Sequence, residues 1–197
     1  MEEIAILASG KGSNADRLCR HFIHHPQARI RLIACDRSDA GVFEVARRHR
    51  IPAVHLSASV RKDPEALLKL FRDSGITFVI LAGYLRLIPA AIIAAYPGRI
   101  INLHPSLLPK FGGKGMYGMH VHEAVHAAGE KESGITIHYV DEKYDEGAVI
   151  AQFRVDLTAE DDPARIAEKI SQLEATHFPE VAEAAIIAAS EKGALQH

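Results

Sequence analysis

Apolar residues fall in short runs separated by polar, glycine-containing turns, and two spacings alternate along the first half of the chain. EIAILAS (3–9) is a continuous apolar run that stops at GKGSN, which suits a buried parallel strand entering a turn and then a helix. The helix NADRLCRHFIHH follows, with Asn14 as its expected N-cap. RIRLIACD, IPAVHLS, ITFVILAG and RIINLH read as further strands. AGVFEVARRHR, DPEALLKLFRDSG and IPAAIIAAYPG read as the helices between them. DPEALLKLFRDSG carries a cap, a proline at the first helical position and a glycine just past its end. Strands alternating with helices predict a mostly parallel sheet covered on both faces, a Rossmann-like α/β arrangement. After a glycine-rich stretch, MHVHEAVHAAG predicts a helix ending at Gly129. GITIHYVDE and AVIAQFRVDL then flank YDEG with no helix between, which predicts an antiparallel addition to the sheet. A long final helix over 162–190 is expected to bend near Pro179. No linker divides the chain, so residues 1–197 are expected to form one domain.

Composition narrows the function classes. Apolar residues make up 48 % of the 197, enough for a full core, and the net charge of −2 gives no reason to expect nucleic-acid or anionic-membrane binding. Two cysteines, Cys19 and Cys35, form no framework and no CxxC, so a reduced, cytoplasmic setting is expected. The N-terminus resembles neither a signal peptide nor a membrane span.

In open α/β sheets ligands bind beyond the carboxyl ends of the strands. Four loops qualify: SGKGSN, AGYLRLI, NLHPSLL and the DEKYDEG turn. Gly10-x-Gly12-x-x-Ala15, with Asp36 ending the second strand, is a passable dinucleotide fingerprint, so a nicotinamide-binding oxidoreductase is one reading. Ser13 and Asn14 in the same loop instead favour a single phosphate gripped directly. A non-catalytic phosphate-binding domain is a third reading. In the strand RIINLH, Asn102 and His104 are two apart and project to one side, and Pro105 takes the chain out of the sheet. An amide beside an imidazole can stabilise a developing oxyanion and move a proton. Asp145 could orient that histidine and raise its pKa, with Asp141, Glu142 and Glu146 as rivals. HEAVH (122–126) matches the H-E-x-x-H zinc pattern, but no third ligand follows at a recognisable spacing.

NLHPSLLPKFGG, preceded by ILAGYLRLI and followed by HYVDEKYDEGAVI, resembles the formyltransferase family that uses 10-formyltetrahydrofolate, in order and over nearly the whole chain. The resemblance implies a Rossmann-like formyltransferase fold and direct formyl transfer to an amine. The SGKGSN loop narrows the acceptor to glycinamide ribonucleotide, in purine synthesis. The resemblance assigns Asn102, His104 and Asp145 to catalysis, and Gly12, Ser13 and Asn14 to the substrate phosphate. It assigns Leu85, Arg86, Leu87, Ile88, Asn102 and Asp141 to the folate, and Glu174 to the substrate ribose. 10-Formyltetrahydrofolate would be the co-substrate and no metal would be required. Partners would be small molecules only, without nucleic acid or membrane, for a monomer or homodimer. Two departures stand out. Pro64 occupies the slot where many members carry a folate-contacting arginine, with Arg61 nearby, and the loop 111–119 is long. That loop is expected to act as a flap, with His120 and His122 as loop and helix-start residues of little functional weight.

Overall fold

The computed structural model describes residues 1–194. β1 (Glu2–Ala8), β2 (Ala28–Cys35), β3 (Ala53–His55), β4 (Phe78–Leu81), β5 (Ile100–His104), β6 (Glu132–Tyr139) and β7 (Val149–Asp156) form one sheet in the order β3-β2-β1-β4-β5-β6-β7. Neighbours from β3 to β5 are parallel, and β6 and β7 join antiparallel. The switch occurs because β5 to β6 is the first connection whose partner strand returns in the opposite direction, after α6 (Met119–Ala127).

The period of two on β1 sorts the core into two layers. Ile4, Ile6 and Ala8 point into one, and Ala5 and Leu7 into the other. The first layer is closed by α1 (Ser13–Phe22), α2 (Val42–His49), α6 and α7 (Pro163–Ala194) through Leu18, Phe22, Val45, Val125, Phe178 and Ile186. The second is closed by α4 (Pro64–Asp73) and α5 (Ala90–Ala95) through Leu67, Phe71 and Ile92. Both cysteines are free and buried, and burial pushes the Cys19 thiol up to about 12. No helix among the described residues is long and apolar enough to cross a membrane.

Several local expectations need correction. Asn14 is not the N-cap of α1. The helix starts at Ser13 behind Gly12, which adopts φ 83 and leaves no space for a side chain, since a Cβ there would lie 2.8 Å from Val42. The same helix stops at Phe22, before the His-His pair. β3 keeps only three residues, and a short unforeseen helix, α3 (Ala58–Lys62), follows it with Ser57 as cap. In α4, by contrast, Asp63 accepts hydrogen bonds from the N–H groups of Glu65 and Ala66, with Pro64 at the first position, as its sequence predicts. α7 runs through Pro179 as one element, although proline supplies no N–H for the carbonyl four residues back.

The β6–β7 connection bears on the site. Gly147 lies so close to the preceding strand that a Cβ would sit 1.7 Å from the Tyr139 carbonyl oxygen. The glycine of YDEG is therefore a packing requirement, and it sets the path of the turn that carries Asp145 (φ 59). Gly147→Ala is expected to lower the unfolding free energy by about 1–3 kcal/mol in urea titration. Gly10→Ala, where a Cβ meets nothing within 4 Å, should stay within about 0.5 kcal/mol of wild type.

Candidate functional site

On β5, Ile100, Asn102 and His104 face one side and Ile101 and Leu103 the other. Ile100 is buried in the layer under α5. Asn102 and His104 extend beyond it at the strand's carboxyl end, where a cavity of about 490 Å³ opens. Antiparallel register places His138 opposite Asn102, Thr136 opposite His104, and Gln152 opposite Thr136. Directly opposed residues share a face, so a polar stripe crosses three strands.

This stripe anchors the loop that leaves β5. The Thr136 hydroxyl donates to the Ser106 carbonyl at 2.6 Å, and the Leu108 N–H donates to Thr136 Oγ1 at 3.0 Å. Gln152 Nε2 donates to the Leu108 carbonyl at 2.9 Å, and Ser106 Oγ donates to the Lys110 carbonyl at 2.7 Å. So tethered, the loop delivers the Phe111 carbonyl to His104 Nε2 at 2.8 Å. The other ring nitrogen, Nδ1, lies 3.4 Å from Asp145 Oδ2. The two residues that hold the imidazole, Phe111 and Asp145, both have left-handed backbones (φ 55 and 59). Each such residue costs roughly 1–3 kcal/mol and persists only where its surroundings over-determine it, as the tethered loop and the tight β6–β7 turn do here.

Asp145 is the acid that meets His104; Glu142 and Glu146 are exposed, and Glu146 pairs with Lys143 instead. Asp145 Oδ2 also accepts the Gly113 N–H at 2.9 Å, and Oδ1 lies 3.4 Å from Asn102 Nδ2 and 3.6 Å from His138 Nε2. Burial alone would raise its pKa. The His138 contact, the nearby His104 and the Gly113 N–H outweigh it, and the carboxyl sits below the ordinary range. His138 Nδ1 lies 2.8 Å from the Tyr139 carbonyl, so Nδ1 carries the proton and Nε2 accepts from Asn102 Nδ2 at 3.1 Å. That orients the Asn102 amide.

The expectation that Asp145 lifts the His104 pKa is corrected in its outcome. The ring is only 4 % exposed, and burial, the larger effect, holds its pKa below the ordinary histidine value despite Asp145 and the Phe111 carbonyl.

The sequence-predicted residues divide as follows. Leu85, Arg86, Leu87, Ile88, Asn102, His104, Asp141, Asp145, Asn14 and Glu174 all line the one cavity, as does the loop from Gly113 to Gly118. Gly12 and Ser13 do not line it; they form the start of α1 beside Asn14. Pro64 and Arg61 do not line it either. Arg86 Nε donates to Asp36 Oδ2 at 2.6 Å, which ties the 83–88 segment to the end of β2. Asp36 is thereby paired with Arg86 through Oδ2 and buried, with its side chain 1 % exposed, so it is not the open ribose acceptor that the dinucleotide reading requires. Two histidines were undervalued from sequence. His138 is one, legible only once the β5–β6 register is known. His122 is the other. It lies in α6, buried against the cavity, and its Nδ1 has no partner. Burial, then His104, depress its pKa. His126 points elsewhere, to the Asp161 carbonyl, and among the described residues no three His, Cys, Asp or Glu side chains form a group that could hold a metal.

Fold and site together define a doubly wound α/β domain with an acid–base cluster set in a cleft at the strand ends. The formyl transferase family model matches residues 2–182, and the chain belongs to that family. It is 38 % identical over 186 residues to the chloroplastic phosphoribosylglycinamide formyltransferase of Arabidopsis thaliana, with 91 % of this chain aligned, and it spans 64 % of that protein's length. It is 35 % identical to the phosphoribosylglycinamide formyltransferase of Bacillus subtilis, covering 92 % of this chain and 93 % of that one. The crystal structure of the Streptococcus pneumoniae TIGR4 phosphoribosylglycinamide formyltransferase superposes with a TM-score of 0.83 at 34 % identity, covering 94 % of this chain and 99 % of that one.

Because His104 and His122 both titrate lower in the folded chain than the ordinary value near 6.5, the unfolded chain binds more protons just below that value. Their contribution to stability is fully present above about pH 6.5 and is lost as pH falls from there through the folded values. The urea midpoint is expected to decline below about pH 6.5. A variant with both residues changed to Asn should lose that part of the decline, leaving the lower window set by Asp145 and the other carboxylates held below their ordinary values, Asp16, Asp36 and Asp161 among them, whose contributions are present above their unfolded values and lost as pH falls through their folded ones. An identical pH profile in the variant would contradict this electrostatic picture.

Proposed function

We propose that the protein transfers the formyl group of 10-formyltetrahydrofolate to the amine of 5′-phosphoribosylglycinamide in de novo purine biosynthesis, with residues 1–197 acting as a single domain. The carrying observation is that one cavity is lined both by the Leu85–Ile88 side chains and by Asn14 and Glu174, and that it also contains the Asn102–His104–Asp145 cluster. Leu85, Leu87, Ile88 and Val140 offer an apolar wall that fits a flat heterocycle, and Asp141 adds a polar group beside it. Asn14 and the start of α1 behind Gly12 suit a phosphate. Glu174 suits ribose hydroxyls. The relatives of the same length carry this activity in their names, which supports the acceptor.

The folate supplies a formyl carbon already bonded to a nitrogen that can leave. The chain's own residues do the rest. Binding both substrates in one cavity removes much of the orientational cost of bringing an amine onto a formyl carbon. Asn102 and His104 stabilise the oxygen that gains negative charge as the C–N bond forms. His104 is neutral before attack, because burial favours that form; the developing oxyanion then adds to Asp145 in favouring the imidazolium. The proton released by the attacking amine makes His104 an imidazolium, which Asp145 stabilises from its place at Nδ1, and that proton passes on to the departing folate nitrogen. The 113–118 loop lies over the same cavity and can restrict water. The reaction needs no metal and belongs in the cytoplasm, whether the chain works as a monomer or a homodimer.

The test is to mix the protein with glycinamide ribonucleotide and a 10-formyl folate and follow the deformylated folate spectrally. Turnover should depend on the amine; turnover without it would indicate a hydrolase. His104→Ala should reduce turnover by roughly 10²–10⁴ with folding intact. Near wild-type turnover in that variant would remove His104 from the chemistry.

A further inference from the structure

Arg17 does not line the cavity, yet it touches two residues that do. It projects from α1, and its Nη1 donates to Asn14 Oδ1 at 2.7 Å while Nη2 donates to Ser171 Oγ on α7 at 3.0 Å. Nη1 also lies 3.5 Å from Glu174 Oε2, to which Asn14 Nδ2 donates at 3.0 Å. Arg17, Asn14 and Glu174 thus form a closed ring of polar contacts joining α1 to α7. The Arg17 and Glu174 side chains are 26 % and 16 % exposed, so these contacts are partly shielded from water.

The ring has two consequences for the cavity. Arg17 occupies the Asn14 carbonyl oxygen, so the amide must turn its N–H groups toward Glu174 and the cavity. Glu174 Oε2 is likewise occupied, and Oε1 accepts no hydrogen bond among the described residues. A ligand with adjacent hydroxyls would meet that oxygen.

We propose that Arg17 is a positioning residue for the ribose-phosphate half of the substrate, fixing the Asn14 amide and holding Glu174 as a charged acceptor. The inference rests on the cavity being the site for phosphoribosylglycinamide. Its geometric core is that one guanidinium bridges both side chains from outside the site. The electrostatics agree. Burial raises the Glu174 carboxyl pKa, and Asn14 and Arg17 partly offset that rise. Among the described residues, Arg17 on α1 is the one charged group that bears on Glu174, and no titratable neighbour on α7 does so. Without it the carboxyl would protonate at a higher pH, and ribose hydroxyls would lose their charged acceptor as pH falls through that value.

The experiment measures kcat and KM for both substrates as a function of pH in the wild type, Arg17→Met and Arg17→Lys. Arg17→Met is expected to raise KM for glycinamide ribonucleotide about 10–100-fold, as for loss of a hydrogen bond to a charged group, while KM for the folate changes less than about twofold. It should also move the acid limb of kcat/KM upward by roughly one to three pH units, and Arg17→Lys should bring it back toward wild type. An unmoved limb in Arg17→Met, or an equal rise in both KM values, would overturn the proposal. If Arg17→Met fails to fold, Arg17→Gln keeps a donor, loses the charge and is read in the same way. If the wild type does not formylate glycinamide ribonucleotide at all, the substrate reading fails first. The Arg17 role is then decided by carbon NMR of the Glu174 carboxyl in the free protein, where an unchanged midpoint without Arg17 overturns it.

Discussion

The carboxylate of Asp145 is the contact on which the rest of the site depends. It is partly buried, and it stays charged because the Gly113 N–H and the Asn102 amide donate to it while His104 and His138 lie against it. These neighbours come from three segments, the glycine-rich loop, β5 (Asn102 and His104) and β6. The carboxylate therefore gathers three stretches that the chain order keeps apart, and its own position follows from a left-handed residue in a turn that Gly147 lets pass against Tyr139.

That dependence explains why the site could be read only in part from sequence. The parallel half of the fold was legible, because each strand is a short apolar run closed by a turn and each helix carries its own amphipathic spacing. The shared direction of Asn102 and His104 was legible too, since it follows from the two-residue period of any strand. Whether Asp145 reached His104 was not, because it depends on a left-handed backbone at Asp145 that few non-glycine residues adopt and that no local pattern marks. His138 needed the antiparallel register of β5 against β6, which sets it opposite Asn102 and which no local pattern announces. Asn14 was misread as a cap because the cap position is held by a glycine in a left-handed conformation, made obligatory by α2 packing on it. Asp36 imitated a ribose acceptor, and only the structure shows its carboxylate bound to Arg86. The resemblance of NLHPSLLP and the YDEG turn to formyltransferases carried the assignment further than periodicity alone could.

Two opposing effects meet at His104, and their magnitudes decide its state. Its ring nitrogens face a carbonyl and a carboxylate, an arrangement that favours the cation; near-complete burial disfavours it and prevails. In the proposed reaction this is an asset. A histidine that is neutral at rest but already flanked by acceptors gains a proton when negative charge appears beside it, with little rearrangement of its surroundings. The 83–88 segment, which the proposed reaction turns toward the folate, is held in the same preorganised way by the Arg86–Asp36 pair, and the opposite wall by the Arg17, Asn14 and Glu174 ring.

The most direct measurement is single-turnover transfer of a labelled formyl carbon from 10-formyltetrahydrofolate to glycinamide ribonucleotide, comparing the wild type with Asp145→Asn at saturating concentrations of both substrates. Asparagine keeps the size of the side chain and removes the charge that organises the cluster. A fall in the transfer rate of at least about a hundredfold, with both substrates still bound, is the expected result. Transfer at a rate close to wild type would contradict the central role of this carboxylate.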